Sequence, residues 1–154
     1  MSTHKKEELM VSAICDGTVL DHIPPEKLYK VVALLKLAEI DAPVTIGNNF
    51  RSGHMGKKGI IKVENKFFSD EEISRIAILA PNAHLNIIRN YQVVEKRQVL
   101  LPREIVGIVR CPNPKCICNN EPMQTRFEVT DAATETLCCR YCRRKVSGDA
   151  IELL

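Results

Sequence analysis

Lys58-Gly-Ile-Ile-Lys-Val-Glu-Asn65, followed after three residues by Ser69-Asp-Glu-Glu72, is the stretch that decides the fold. The first run alternates. A period of two puts Lys58, Ile60 and Lys62 on one face of a strand and Ile61 and Val63 on the other. The second run is a capping box, in which Ser69 and Glu72 satisfy each other's free backbone donors and open a helix. That helix carries Ile73, Ile76, Ala77 and Ala80 inward and stops before Pro81. A strand thus feeds a helix through a four-residue joint.

Working upstream, Pro43-Val-Thr-Ile-Gly47 reads as a strand, and the polar run Asn48 to Gly56 as the loop after it. Before them, Leu28, Val31, Val32 and Leu35 recur at helical spacing, which predicts a helix from Pro25 to about Glu39. Pro25 suits a first helical turn and Glu26 its positive end. Residues 9–15 are apolar with one polar interruption and read as the first strand. Asp16-Gly17 reads as a turn, and the short apolar segment 18–23 ends at Pro24-Pro25. Downstream, His84-Leu-Asn-Ile-Ile leads through Arg89-Asn90 into Tyr91-Gln-Val-Val as a last strand. The order is strand, helix, strand, strand, helix, strand. It predicts an α+β chain whose residues 1–100 form a ferredoxin-like βαββαβ domain, an antiparallel sheet with two helices on one face.

Leu101-Pro102 ends that unit, and residues 101–154 read as a small antiparallel β domain. Its core candidates are Phe127, Val129, Leu137, Val146, Ile151 and the strand Ile105–Val109, too few to be stable by burial alone. Cys111-Pro-Asn-Pro-Lys-Cys116 and Cys139-Arg-Tyr-Cys142 supply a staple, two thiol pairs with the spacing of a tetrahedral zinc site. The expected ligands of one structural Zn2+ ion per chain are Cys111, Cys116, Cys139 and Cys142, with Cys118 and Cys138 as rivals. Cys138 adjoins Cys139, so on a strand its side chain faces the other way. Four thiolates leave no open position, which argues against a catalytic zinc. Cys15, on an apolar run, reads as a small buried hydrophobe.

The chain of 154 residues carries a net charge of +3. Residues 1–100 hold fourteen Lys/Arg against twelve Asp/Glu, and residues 101–154 hold eight against seven. Neither half is the basic body that grips many phosphates. Aromatic residues are 5% of the chain and Trp is absent, which leaves little for stacking on bases. A zinc-ribbon nucleic-acid binder is therefore the alternative reading and not the first. No apolar stretch approaches bilayer length, and the N-terminus lacks a signal-peptide core, so the chain is read as cytoplasmic. In a reducing compartment seven cysteines suggest metal or free thiols more than disulfides. Lys58, Lys62 and Lys96 fall on expected strands, where a convergent patch of cations would suit a polyphosphate.

Ordered along the chain stand Gly17-Thr-Val-Leu-Asp-His-Ile-Pro24, Thr45-Ile-Gly-Asn-Asn, Ser52-Gly-His-Met-Gly-Lys-Lys58, Ile61-Lys-Val-Glu-Asn65, Ala80-Pro81, Asn86, Asn90-Tyr-Gln-Val-Val94, Cys111-Pro-Asn and Cys139-Arg-Tyr-Cys. Together these resemble the regulatory chain of aspartate carbamoyltransferase, over nearly the whole length. The resemblance implies a noncatalytic subunit of pyrimidine biosynthesis. Its residues 1–100 would form an allosteric nucleotide-binding domain and its residues 101–154 a zinc domain that docks on the catalytic chain. It implies a regulatory homodimer, with CTP and ATP as effectors and UTP as a third candidate. By the same resemblance Val11, Ser12, Ala13, Ile14 and Val19 would lie at the base and ribose edge, and Asp21 and Lys62 at the ribose. Lys58, His22 and Lys96 would meet the phosphates, and Asn86, Ile88, Tyr91 and Val93 would complete the pocket. Ser12 departs from the acidic residue of the family pattern, and Cys118 and Cys138 are additions to it.

Overall fold

The structure is a computed structural model and describes residues 13–53 and 56–154. The chain divides into two compact units, residues 1–100 and 101–154. No helix among the described residues is long and apolar enough to cross a membrane.

In the first unit, strands β1 (Gly17–Ile23), β2 (Val44–Ser52), β3 (Gly56–Glu64), β4 (His84–Arg89) and β5 (Gln92–Gln98) form one sheet in the order β2-β3-β1-β4-β5. Every neighbouring pair is antiparallel. Strands β1 and β2 therefore run the same way with β3 between them, the split βαβ arrangement. Helix α1 (Leu28–Leu34) joins β1 to β2, and helix α2 (Asp70–Leu79) joins β3 to β4. The two helices pack on each other. Gly59 lets α1 sit close on the sheet, because a Cβ there would stand 2.9 Å from Leu28 Cδ1. By alternation Ile61 and Val63 share that helix-covered face, and both are fully buried. Gly17 opens β1 with φ +144, and a Cβ there would collide with the Val63 carbonyl oxygen.

The capping box at Ser69 forms as expected. The Ser69 hydroxyl accepts from the Glu72 N–H at 3.2 Å, and the Ser69 N–H donates to the Glu72 carboxylate at 3.1 Å. Ile76, Ala77 and Ala80 are buried, while Ile73 is only half-buried.

Local readings elsewhere shift. The first strand is Gly17–Ile23, not residues 9–15; residues 13–16 have no strand conformation, and residues 9–12 lie outside the described residues. The helix expected from Pro25 to Glu39 is shorter. The Lys27 N–H closes a turn on the Pro24 carbonyl, and Lys36 adopts a left-handed φ of 53 that ends the helical path before a 3-10 turn at Leu37–Glu39. The polar run read as a loop from Asn48 is instead mostly strand. β2 continues to Ser52, and a register shift between Gly47 and Phe50 absorbs Asn48 and left-handed Asn49 as a bulge. The segment from His84 is two strands, not one. Asn90 and Tyr91 both have positive φ, 53 and 64, and make the two-residue turn of a hairpin that adds β5 to the sheet. That turn is tied to the chain before β1, for the Tyr91 N–H donates to the Cys15 carbonyl and the Asn90 N–H to the Asp16 carboxylate.

In the second unit, β6 (Glu104–Val106), β7 (Arg126–Asp131), β8 (Thr136–Cys139) and β9 (Lys145–Ser147) form an antiparallel sheet in chain order. Left-handed Gly107 ends β6 earlier than the strand expected through Val109, which makes only an isolated bridge with Leu153. Ile105, Phe127, Leu137 and Val146 are buried, whereas Val129 and Ile151 are half-buried. A short helix α3 (Ile117–Asn120) follows the first cysteine pair.

Candidate effector cavity and metal centre

The face of the first sheet opposite the helices carries a cavity of about 240 Å³. Its lining follows from alternation on adjacent strands. Val19 and Asp21 come from β1, Ile60 and Lys62 from β3, Asn86 and Ile88 from β4, and Val93 from β5. Ala13, Ile14 and Tyr91 close the rim. Register explains why these side chains meet. Val19 pairs with Lys62 on one side and Asn86 on the other, and Asn86 pairs with Lys96. Lys62, Val19, Asn86 and Lys96 thus form one row across the sheet, with a cation at each end.

Most of the wall is apolar, from Ile14, Val19, Ile60, Ile88 and Val93, with a few polar groups placed among it. That is the usual composition of a small-ligand site, with apolar surface for a ring and polar atoms to fix its orientation. Lys62 is buried at 7% exposure, while Lys96 stands exposed at the row's far end.

Asp21 is the most constrained polar group of the wall. Its carboxylate lies 3.1 and 3.2 Å from Lys58 Nζ and accepts the His22 N–H at 2.6 Å. Both members of the ion pair are buried, so each holds the other's charge in place. Lys58 is not among the residues that line the cavity; its ammonium pairs with the Asp21 carboxylate. His22 has a left-handed φ of 58, and its ring lies 4.3 Å from that of His84. Val11 and Ser12 lie outside the described residues. Ile60 lines the cavity beyond the residues the resemblance implies, and alternation already sets it between Lys58 and Lys62; His84 is not a lining residue but its ring neighbours His22. His84 becomes visible only through register, as the partner of Asp21 across β4.

The second unit gathers thiols. Cys111 follows β6 in a loop, Cys116 caps α3, Cys139 ends β8, and Cys142 stands in the turn before β9. Amide side chains hold the first loop. Asn119 Nδ2 donates to the carbonyls of Cys111 and Asn113 at 3.0 and 2.7 Å, and Asn120 Nδ2 to those of Cys116 and Pro114 at 2.8 and 3.0 Å. The second pair sits on a tight turn, where the Cys139 N–H donates to the Arg144 carbonyl and the Arg143 N–H to that of Cys139.

Sulfur separations test whether the donor set fits zinc. A Zn–S bond of about 2.3 Å in a regular tetrahedron sets ligand sulfurs about 3.8 Å apart. Cys111 and Cys142 are 3.7 Å apart, and so are Cys116 and Cys139. Each of these pairs has the length of one edge of such a tetrahedron. Electrostatics agree. Burial pushes the Cys111 thiol far up, helped by the Cys142, Cys139 and Cys116 sulfurs. Burial and the Cys116 sulfur push the Cys118 thiol up to about 12. Burial also raises Cys142, but hydrogen bonds from the Arg144 backbone, Asn113, Cys111 and Cys139 outweigh it and bring that thiol down to about 7. Crowded buried sulfurs cannot all ionise against one another, and a divalent cation removes that conflict.

Of the rivals, Cys138 is buried but turned away, its thiol donating to the Arg143 carbonyl at 3.4 Å. Cys118 does join the cluster: its sulfur and those of Cys111, Cys116 and Cys139 all lie within 4.8 Å of one another. Cys15 is half-buried in a bend, not a core residue of a strand.

Two family models match the chain. Residues 9–100 match the allosteric domain of the aspartate carbamoyltransferase regulatory chain, and residues 103–152 match its metal binding domain. Among curated relatives, the aspartate carbamoyltransferase regulatory chain of Porphyromonas gingivalis is 65% identical over 150 residues, covering 97% of this chain and 99% of the relative. That of Phocaeicola vulgatus is 58% identical, covering 97% and 96%. The similarity reaches the archaeon Thermococcus gammatolerans, whose regulatory chain is 44% identical over 94% of this chain and 96% of its own.

Proposed function

We propose, from the premise that this chain belongs to the aspartate carbamoyltransferase regulatory chain family, that its cavity binds nucleoside triphosphate effectors and that its zinc domain carries their influence to catalytic chains. The chain is regulatory and noncatalytic, with an allosteric domain and a metal-binding domain, and its cysteine cluster suits one zinc.

The observation that carries the proposal is the row Lys62, Val19, Asn86, Lys96 across the cavity face. In this reading the base packs against Ile14, Val19, Ile60 and Ile88. Asp21 and Lys62 take the ribose, and the phosphates run toward Lys96 and His22, with Lys58 holding Asp21 in register. Charge-assisted hydrogen bonds from lysines to phosphate oxygens are strong and directional. CTP, ATP and UTP share ribose and triphosphate, so all three fit these contacts. Discrimination between them falls to the rim, where Ala13 and Ile14 precede the turn that Tyr91 closes.

Resident zinc supplies folding energy here, not chemistry. Cys111, Cys116, Cys139 and Cys142 hold it, and the domain so fixed presents the surface that docks on a catalytic chain. A groove of about 590 Å³ beside Cys111, lined by Arg110, Pro112, Pro114, Asn119, Ala150 and Glu152, is the candidate docking face, with Ile117 exposed on α3. The chain works as a homodimer between catalytic trimers in the cytoplasm, where reducing conditions keep its thiols free for metal. An effector acts only through unequal affinity for the tense and relaxed states of that assembly, so binding here is linked to aspartate binding there.

Calorimetry on the complex of regulatory and catalytic chains tests the cavity. Lys62→Ala is expected to weaken CTP and ATP binding by about tenfold or more, while zinc content and assembly stay unchanged. Unaltered affinity for both nucleotides would sink the assignment.

A further inference from the structure

We propose that Cys118 is a reserve ligand of the metal centre, able to take the corner that Cys142 occupies at rest. This rests on the reading of Cys111, Cys116, Cys139 and Cys142 as the resting set. The Cys118 sulfur stands within 4.8 Å of three members of that set. Ligand sulfurs around one zinc stand about 3.8 Å apart, so Cys118 already lies at the margin of a four-sulfur shell.

Its present position is that of a thiol beside a site. The Cys118 Sγ donates to the Cys116 Sγ at 3.3 Å, closer than the edge of a thiolate tetrahedron. The backbone places it there. Cys116 caps α3, Cys118 lies in its first turn, and Asn120 ties the turn to the Cys116 carbonyl. Cys138 provides the contrast, since it is equally buried yet stands outside the cluster with its thiol on a backbone carbonyl. Proximity to the centre is therefore particular to Cys118.

Cys142 is the corner to be replaced. It is half-buried on a turn that includes left-handed Arg143, whereas Cys111, Cys116 and Cys139 are buried. Solvent and reagents reach its sulfur first. On exchange, Cys118 gives up its S–H proton as its sulfur joins the site, and the departing Cys142 thiolate takes up a proton. Four thiolates face the ion before and after, so the charge of the centre does not change.

The test uses the full-length chain, Cys118→Ser, Cys142→Ser, the double variant, and Cys138→Ser/Cys142→Ser as control. Cobalt(II) replaces zinc, because the intensity of its sulfur charge-transfer band reports the number of thiolate ligands. Release to a chelator is timed in parallel. Both single variants are expected to bind about one ion per chain with a four-thiolate spectrum. The double variant should show a three-thiolate spectrum and release metal about tenfold faster or more. The Cys138 control should match Cys142→Ser alone. A Cys142→Ser chain with the spectrum and release rate of the double variant, or one that binds no metal while Cys118→Ser does, overturns the reserve role. Loss of metal in Cys118→Ser with retention in Cys142→Ser overturns the resting set as well, since Cys118 is then the primary ligand.

Discussion

Residues 13–100 bury Leu20, Ile23, Leu28, Val31, Ile61, Ile76 and Leu85 in a core shared by a five-stranded sheet and two helices, whereas residues 101–154 bury Ile105, Phe127, Leu137 and Val146 beside a knot of cysteines. In the first unit cohesion is spread over many contacts, each worth about 1.5–3 kcal/mol for a fully buried aliphatic side chain. In the second it is concentrated at one point. The difference matches the work assigned to each. A sheet braced on one face by helices can leave its other face free for a ligand. A small domain built around a metal can spend its surface on a partner, because its interior does not depend on burying that surface.

Removing the metal should separate the two units most sharply. Zinc binding contributes about 10–16 kcal/mol in small zinc domains. Strong chelation of the full chain is expected to abolish amide-exchange protection in β6 to β9 while leaving β1 to β5 protected and CTP binding intact. Retained protection around Phe127 and Leu137 would mean that the second unit stands on its own core, and the contrast would collapse.

The next test asks whether the first unit is as evenly supported as it looks. Asp21 and Lys58 form a buried pair at 3.1 Å, which is a point of concentrated energy in an otherwise distributed core. Asp21→Ala removes a buried counter-charge from beside the Lys58 ammonium, at an expected cost of about 3–5 kcal/mol in denaturant unfolding. The double variant Asp21→Leu/Lys58→Met should regain most of that loss while still failing to bind nucleotide. If the double variant is no more stable than the single, the pair contributes through the shape it gives the cavity edge and not through charge burial.

What the sequence disclosed was local or periodic. The capping box at Ser69 and Glu72 and the alternation through Lys58, Ile60 and Lys62 are properties of neighbouring residues, and both appear in the structure. So does the split βαβ order, although its first strand is Gly17–Ile23 and not residues 9–15. Hidden features depend on long-range register or on unusual backbone. β5 went unread because a tyrosine with φ 64 does not advertise a two-residue hairpin turn. Two residues past helix α1 a lysine with φ 53 turns the chain out of the helical path, which sequence gives no reason to suspect. The Asp21–Lys58 pair spans 37 positions, and His84 meets His22 only through the pairing of β4 with β1. At the metal centre the CxxC spacing marks Cys139 and Cys142, but only the fold tells Cys118, inside the cluster, from Cys138, outside it.

The smallest effect probes the same contrast from its weak side. Ser69 caps α2 at an exposed position, and both halves of its capping box are present. Ser69→Ala removes one acceptor for the Glu72 N–H and frees the Glu72 side chain, which already has Lys66 within 3.7 Å. Water can satisfy the released N–H because the site is exposed, so the loss should stay near the usual value for an N-cap, about 1 kcal/mol. Denaturant unfolding should report that loss, with exchange rising in the first turn of α2 and zinc content and nucleotide affinity unchanged. The logic turns on where the remaining support lies. Ile76 and Ala77 anchor α2 well below its cap, so a frayed first turn leaves the packed part of the helix in place. A loss of about 3 kcal/mol or more would mean that α2 docks only when its first turn is formed. The first unit would then hang on a single local contact, much as the second hangs on its sulfurs.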